Sequence, residues 1–251
     1  MSITERKNLK KPFTCFENQH YVLILSKRII YAGELMAKLY FRYAVMNAGK
    51  STQLLQIAYD YEKYNKRKIL CLKPYNDTKE DDYIVSRLEN GEIKRKCDFL
   101  ILHDEGWLFN KLVSEIKKAQ ECENPLSIVL IDEAQFLSKE NVWDLARIVT
   151  EYNVPVICFG IKVDALGNPF EGSSHLFALA QNIEEVTTRA ICRISKTPKK
   201  ATMNLRLVNG KPVFHGDQVA IENNQDIKYL PVCLDVYMKL KHGEIDVQDY
   251  I

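Results

Sequence analysis

The chain has 251 residues, 46% hydrophobic and 27% charged, which suits one sizeable globular domain or a domain with an appendage and excludes a disordered chain. A formal net charge of +2, with no basic stripe interleaved with aromatics, gives no nucleic-acid footprint. Seven cysteines, an odd number without a secretion signal, point to a reducing, cytoplasmic setting in which most are small buried apolar residues.

Residues 1–35 differ from the rest. Lys7, Lys10 and Lys11 precede the apolar run Tyr21-Val22-Leu23-Ile24-Leu25, which loosely imitates a signal peptide until Lys27-Arg28 interrupt it. The run falls far short of the ~20 residues of a membrane span, so no membrane association is expected. The segment supplies no motif and reads as a dispensable extra that a start codon called too far upstream would explain, with Met36 directly before the first strong element.

Leu39, Phe41, Tyr43 and Val45 alternate as in a β-strand, and from Ser51 the period changes. Leu54, Leu55, Ile57, Ala58 and Tyr61 fall at helical spacing, with Asn65 as a stop. Between strand and helix, Ala44-x4-Gly49-Lys50-Ser51 matches the phosphate-binding loop except that Ala44 replaces the first glycine. A tight turn capped by a helix N-terminus aims several N–H groups at an anion. Lys50 then reaches the β and γ phosphates of ATP, and the Ser51 hydroxyl serves Mg²⁺.

Lys68 to Leu72 reads as a second buried strand ended by Pro74, and residues 76–82 as a polar loop. Asp98 to Leu102 is a weaker strand, followed by a helix from Gly106 to Gln120. Ser127 to Ile131 is a continuous apolar run of the kind covered on both faces, with Asp132-Glu133 at its carboxyl end. This is a Walker B arrangement: the aspartate holds Mg²⁺ and a neighbouring carboxylate orients the attacking hydroxyl. A helix from Ser138 and a strand over Val154 to Gly160 complete an alternation that predicts an α/β fold with a parallel sheet and ligands at the strands' carboxyl ends. Past Glu185 the pattern becomes short strand-like pieces, with Asn209-Gly210 as a hairpin turn between Thr202–Val208 and Lys211–Phe214. The expected division is 36–185 for an α/β phosphate-loop domain, 186–240 for a small β-rich appendage, and 241–251 for a tail.

The stretch YFRYAVMNAGKSTQLLQ, the IDEAQF run with Gln135 and Phe136, and an ordered series downstream together resemble the thymidine kinase family of the zinc-containing, tetrameric type. The series includes Lys73-Pro74, Asp77, Ser86-Arg87-Leu88, Gly160, Asp164, Phe170, Lys200-Ala201-Thr202-Met203, Tyr229 and Val232-Cys233. The resemblance implies a RecA-like phosphate-loop fold with a lasso closing over the nucleoside, a homotetramer, and transfer of phosphate from ATP to thymidine. ATP would lie against Ala44, Val45, Met46, Asn47, Ala48, Gly49, Lys50, Ser51 and Thr52, with Asp132, Glu133, Ala134 and Gln135 opposite. Glu133 is the implied catalytic base, Ser51 and Asp132 the implied Mg²⁺ residues, and Asp77, Lys79 and Arg87 the phosphate-side groups. Met46, Phe136, Ile161, Ala165, Thr202 and Tyr229 are the implied nucleoside contacts.

Four departures from the family pattern stand out. Of the expected zinc ligands only Cys192 and Cys233 remain, with Ser195 and Val236 at the paired positions, so a structural zinc is not expected. Ala165 stands where an aromatic usually walls the base pocket, leaving space or calling for a shifted neighbour. Lys79 replaces an arginine, giving a point charge for a planar fork. Glu222-Asn223 replaces a Gly-Gly turn. At this point two other readings stay open: a divergent relative with weak or altered nucleoside choice, and a phosphate-loop ATPase acting on a macromolecule.

Overall fold

The computed structural model describes residues 36–75, 82–88, 91–186, 190–219 and 226–249. The expectations about 1–35, about Asp77 and Lys79, and about Glu222-Asn223 lie outside these residues.

The apolar runs form a six-stranded parallel sheet ordered β5-β2-β6-β7-β1-β8. Its strands are β1 (Leu39–Tyr43), β2 (Lys68–Pro74), β5 (Phe99–Ile101), β6 (Leu126–Ile131), β7 (Val156–Gly160) and β8 (Asn182–Glu185). β7 separates the phosphate-loop strand β1 from β6, which Asp132 follows, in the RecA-like manner.

The continuous apolar character of β6 is explained by helices on both faces. Val129 and Ile131 pack with Leu108, Leu112 and Ile116 of α2 (Trp107–Glu121) and Leu145, Ile148 and Val149 of α3 (Lys139–Tyr152). Ile128 and Leu130 face the other way, toward Leu54, Leu55 and Ala58 of α1 (Lys50–Tyr59). α3 starts at a capping box in which Ser138 Oγ accepts from Asn141 N (3.1 Å) and Asn141 Oδ1 from Ser138 N (3.3 Å). α1 runs into a π-helical turn over Asp60–Tyr64, so the helical segment does end before Asn65.

Three features were not drawn from the sequence. An antiparallel hairpin, β3 (Tyr83–Leu88) with β4 (Gly91–Lys96), lies between β2 and β5. Among its described side chains Ile84 is the one deeply buried apolar residue, so it carries no periodic signal. α4 (Glu171–Leu179) follows β7 in the chain, and β8 adds an edge strand to the main sheet beside β1. In the appendage the hairpin expected at Asn209-Gly210 joins β9 (Met203–Val208) to β10 (Lys211–Pro212), and what the sequence did not supply is β11 (Ile227–Val232), antiparallel on the other edge of β9. The apolar face of this sheet packs on α5 (Leu234–Lys241), so the appendage is not purely β. Residues 37–251 form one compact unit, the appendage included.

Candidate active site

The phosphate loop joins β1 to α1, with Gly49 at the helix N-cap (φ 79°). Ala44 and Val45 are buried beneath the loop, where they pack with Ala48, Val186 and Ala201, and Ala44 N donates to Gly160 O at 3.2 Å. Residues 46–52 line a cavity of about 550 Å³. Lys50 Nζ donates to Val45 O at 2.9 Å. Burial lowers the Lys50 pKa, and the charges of Glu133 and Asp132 oppose that shift.

Asp132 leaves the end of β6 and enters the same cavity. Its Oδ2 accepts from Ser51 Oγ at 2.7 Å, while its buried Oδ1 has no hydrogen-bond partner among the described residues. An orphaned carboxylate oxygen beside a serine hydroxyl suits a divalent cation, so Ser51 and Asp132 fit the Mg²⁺ role. Burial, and then the charge of Glu133, push the Asp132 pKa up to about 7, against the pull of Ser51 and Lys50.

Glu133 adopts a left-handed backbone (φ 50°, ψ 38°), an uncommon state for a residue with a side chain that accumulates at functional sites. Gln135 fixes the carboxylate. Its Nε2 donates to Glu133 Oε2, and its Oε1 accepts from Ile161 N at 3.1 Å. The base candidate is thereby tied to the backbone at the end of β7. Ala134 is fully buried below this turn and lines no part of the cavity.

Of the implied nucleoside contacts, Met46, Phe136, Ile161, Ala165 and Tyr229 line the cavity. Thr202 does not. It precedes β9 and its amide donates to Val232 O at 2.9 Å; Asn204, two residues on, faces the cavity instead. Ala165 is buried, with its carbonyl accepting from Tyr237 Oη at 2.9 Å. Aromatic surface at this end is supplied by Phe136 and Phe170, packed edge to face at 5.6 Å. Arg87 lines the cavity from the β3–β4 hairpin, and Ser86 Oγ meets Thr52 Oγ1 at 2.6 Å, pinning the hairpin to α1. Lys73, Asp164, Arg193, Gln218 and Val219 also line the cavity and were not assigned from sequence. Lys73 is almost wholly buried and its Nζ donates to Tyr83 O at 3.1 Å, a second tie to the hairpin.

Cys192 and Cys233 are both buried in the core of the appendage. Burial raises the Cys233 pKa, and its contact with the Cys192 thiol adds to the effect. Among the described residues no three His, Cys, Asp or Glu side chains gather as a metal site, and Val236 packs as a core residue. Two thiols are fewer than the four donors of a structural zinc.

A phosphate loop on a parallel sheet, an acidic strand end beside it and a pocket for a second molecule in the same cavity define a nucleotide-dependent phosphotransferase of the phosphate-loop class. Comparison with known proteins narrows the class. The thymidine kinase family model matches residues 37–237. A thymidine kinase of Streptococcus pyogenes serotype M3 is 42% identical over 202 residues, covering 80% of this chain and 97% of the relative. One of Streptococcus agalactiae serotype Ia is 41% identical with the same coverage. The chain belongs to the thymidine kinase family.

Proposed function

We infer that the chain transfers the γ-phosphoryl group of ATP to the 5′-hydroxyl of thymidine, giving thymidine 5′-monophosphate and ADP. The observation that carries this reading is that Lys50, Ser51, Asp132 and Glu133 share one cavity with Met46, Phe136, Phe170 and Tyr229. Family membership favours it over an altered-specificity relative or a macromolecular ATPase.

The loop amides and Lys50 hold the phosphate chain of ATP, and Ser51 and Asp132 would hold Mg²⁺, which when bound would offset phosphate charge. Glu133, held by Gln135, receives the proton of the 5′-hydroxyl as its oxygen bonds to the γ-phosphorus and the bond to the β–γ bridging oxygen breaks. Because phosphoryl transfer has a loose transition state, positioning of the hydroxyl is the larger contribution and proton capture comes late. Phe136 and Phe170 offer the base an apolar slot, and the cavity wall at Gln218 and Val219 restricts water, which limits idle hydrolysis of ATP.

We also propose a cytoplasmic homotetramer. Support comes from the family resemblance and from the six described cysteines, all free thiols. Among the described residues no helix is long and apolar enough to cross a membrane. Sedimentation analysis tests the assembly. The catalytic reading is tested by ADP release with and without thymidine: strict dependence on thymidine supports it, and equal rates sink it.

A further inference from the structure

β9 carries Asn204 and Arg206 on one face, and both side chains are buried, each at 3% exposure. Asn204 meets the phosphate loop through Met46 N. Arg206 does something different. Its Nη1 donates to Asp217 O at 2.8 Å and its Nη2 to His215 O at 2.6 Å. Nε is buried with no partner, and no carboxylate pairs with the guanidinium among the described residues.

A buried guanidinium served only by two carbonyls is an expensive way to hold a loop. What it provides is geometry. A planar fork spanning two carbonyls two residues apart fixes the direction of the turn between them, which a flexible ammonium does not. That turn centres on Gly216 at φ +97°, a conformation L side chains resist, and a Cβ there would stand 3.5 Å from Arg206 Nη2. The next two residues, Gln218 and Val219, are exposed yet line the cavity. Gln218 Nε2 donates to Pro169 O at 3.3 Å, beside Phe170 of the proposed base slot.

We propose that Arg206 is the positioning residue for the nucleoside wall: it clamps the 215–217 turn so that Gln218 and Val219 close the acceptor end of the cavity, and it thereby sets nucleoside affinity without setting ATP affinity. The substrate side of this statement rests on the thymidine reading above. The clamp itself rests only on the contacts of Arg206.

Three variants test it: Arg206→Met, Arg206→Lys and Gly216→Ala, the last straining the same turn through its positive φ. Arg206→Met and Gly216→Ala should each raise the KM for thymidine roughly 10-fold, with the KM for ATP and the affinity for ATP alone within about twofold of wild type. Arg206→Lys, able to serve one carbonyl, should recover part of the loss. A thymidine KM unchanged in Gly216→Ala, or thymidine and ATP constants rising together, overturns the proposal. If Arg206→Met does not fold, Gly216→Ala decides alone. Hydrogen exchange separates the two layers of the claim, because it needs no substrate. Amides of 215–219 should exchange faster in Gly216→Ala and Arg206→Lys while those of α1 do not. Unaltered exchange sinks the clamp, whereas a wild-type protein that ignores thymidine sinks only the functional reading.

Discussion

The amide of Met46, in the phosphate loop, donates to Oδ1 of Asn204, in β9, at 2.8 Å, joining two residues 158 apart in sequence. Met46 lines the cavity beside Lys50, and Asn204 lines it from the appendage. One hydrogen bond thus sets the spacing between the part that grips phosphate and the part that walls the nucleoside. Removing the acceptor leaves a loop amide unpaired, at a cost of order 1 kcal/mol and a less well defined loop. Asn204→Ala should therefore raise the KM for ATP and for thymidine together, each by about 5- to 10-fold. Asn204→Asp keeps an acceptor and should recover much of the ATP term. Steady-state kinetics with each substrate varied in turn checks this; a change confined to thymidine would show that Asn204 does not position the loop.

Glu133 is assigned as base from its place, its backbone and its tether to Gln135. Glu133→Gln preserves shape and should leave ATP binding near wild type while lowering kcat by ~10²–10⁴-fold, the usual range for a single general base. Lys50→Ala should instead weaken ATP binding. Turnover within a few-fold of wild type in Glu133→Gln would remove the carboxylate from that role.

Asp132 links the site to stability. Its carboxyl is favoured in the neutral form in the folded protein, with burial as the main cause, so its pKa rises from 3.8 to about 7. The stability this contributes is present in full below the unfolded value and is lost as pH rises through about 7. Asp132→Asn is neutral at every pH. Its Tm relative to wild type should therefore increase between pH 5 and pH 8, by several degrees if the linkage approaches 1–2 kcal/mol. Its catalytic rate should collapse at the same time. A Tm difference independent of pH, measured without nucleotide or divalent cation, contradicts the assignment.

The two thiols of the appendage make a compositional prediction. With Cys192 and Cys233 in contact and Val236 in the core, purified protein should contain well below one zinc per chain, and chelators should leave its Tm unchanged. Elemental analysis decides it, one zinc per chain being the contrary result.

Much of this site is readable from sequence because its parts are local. Residues 44–52 form a turn that one helix N-terminus completes, and Asp132-Glu133 follow directly from a strand whose apolar run demands helices on both faces. What was not legible is nonlocal. Met203-Asn204-Leu205-Arg206-Leu207 alternates perfectly, and alternation alone assigns Asn204 and Arg206 to solvent. The structure covers that face too, with the phosphate loop over Asn204 and the 215–217 turn over Arg206. Thr202 comes from the family resemblance alone, which says nothing of Asn204. The β3–β4 hairpin escaped notice for the opposite reason: β4 is mostly exposed, and its place is fixed by Lys73 and the Thr52–Ser86 pair, not by apolar periodicity.

Gly172 offers a test of how tightly the turn bearing Gln135 is held. It lies in the first turn of α4, where a helix former would ordinarily be better; replacing glycine by alanine in a helix interior is worth up to ~1 kcal/mol. Here space opposes propensity. A Cβ at 172 would stand 2.5 Å from Ala134 O, 2.7 Å from Leu137 O and 2.9 Å from Gln135 O. These are backbone atoms of the 134–137 turn and cannot rotate aside, so either α4 or the turn must move. Overpacking of this kind costs about 1–3 kcal/mol, which exceeds the propensity gain. Both elements are part of the site: the turn carries Gln135, which holds Glu133, and Phe136, while Phe170 precedes α4 and packs on Phe136. Ser173 Oγ also donates to Ile161 O at 2.6 Å, fixing α4 to the end of β7. Gly172→Ala should therefore lower Tm by several degrees and reduce kcat and thymidine affinity together, with a smaller effect on ATP binding, since the clash falls on no residue of the phosphate loop. Thermal melts and kinetics on the purified variant measure both effects. A variant more stable than wild type would mean that helix propensity prevails and that the turn has room to shift.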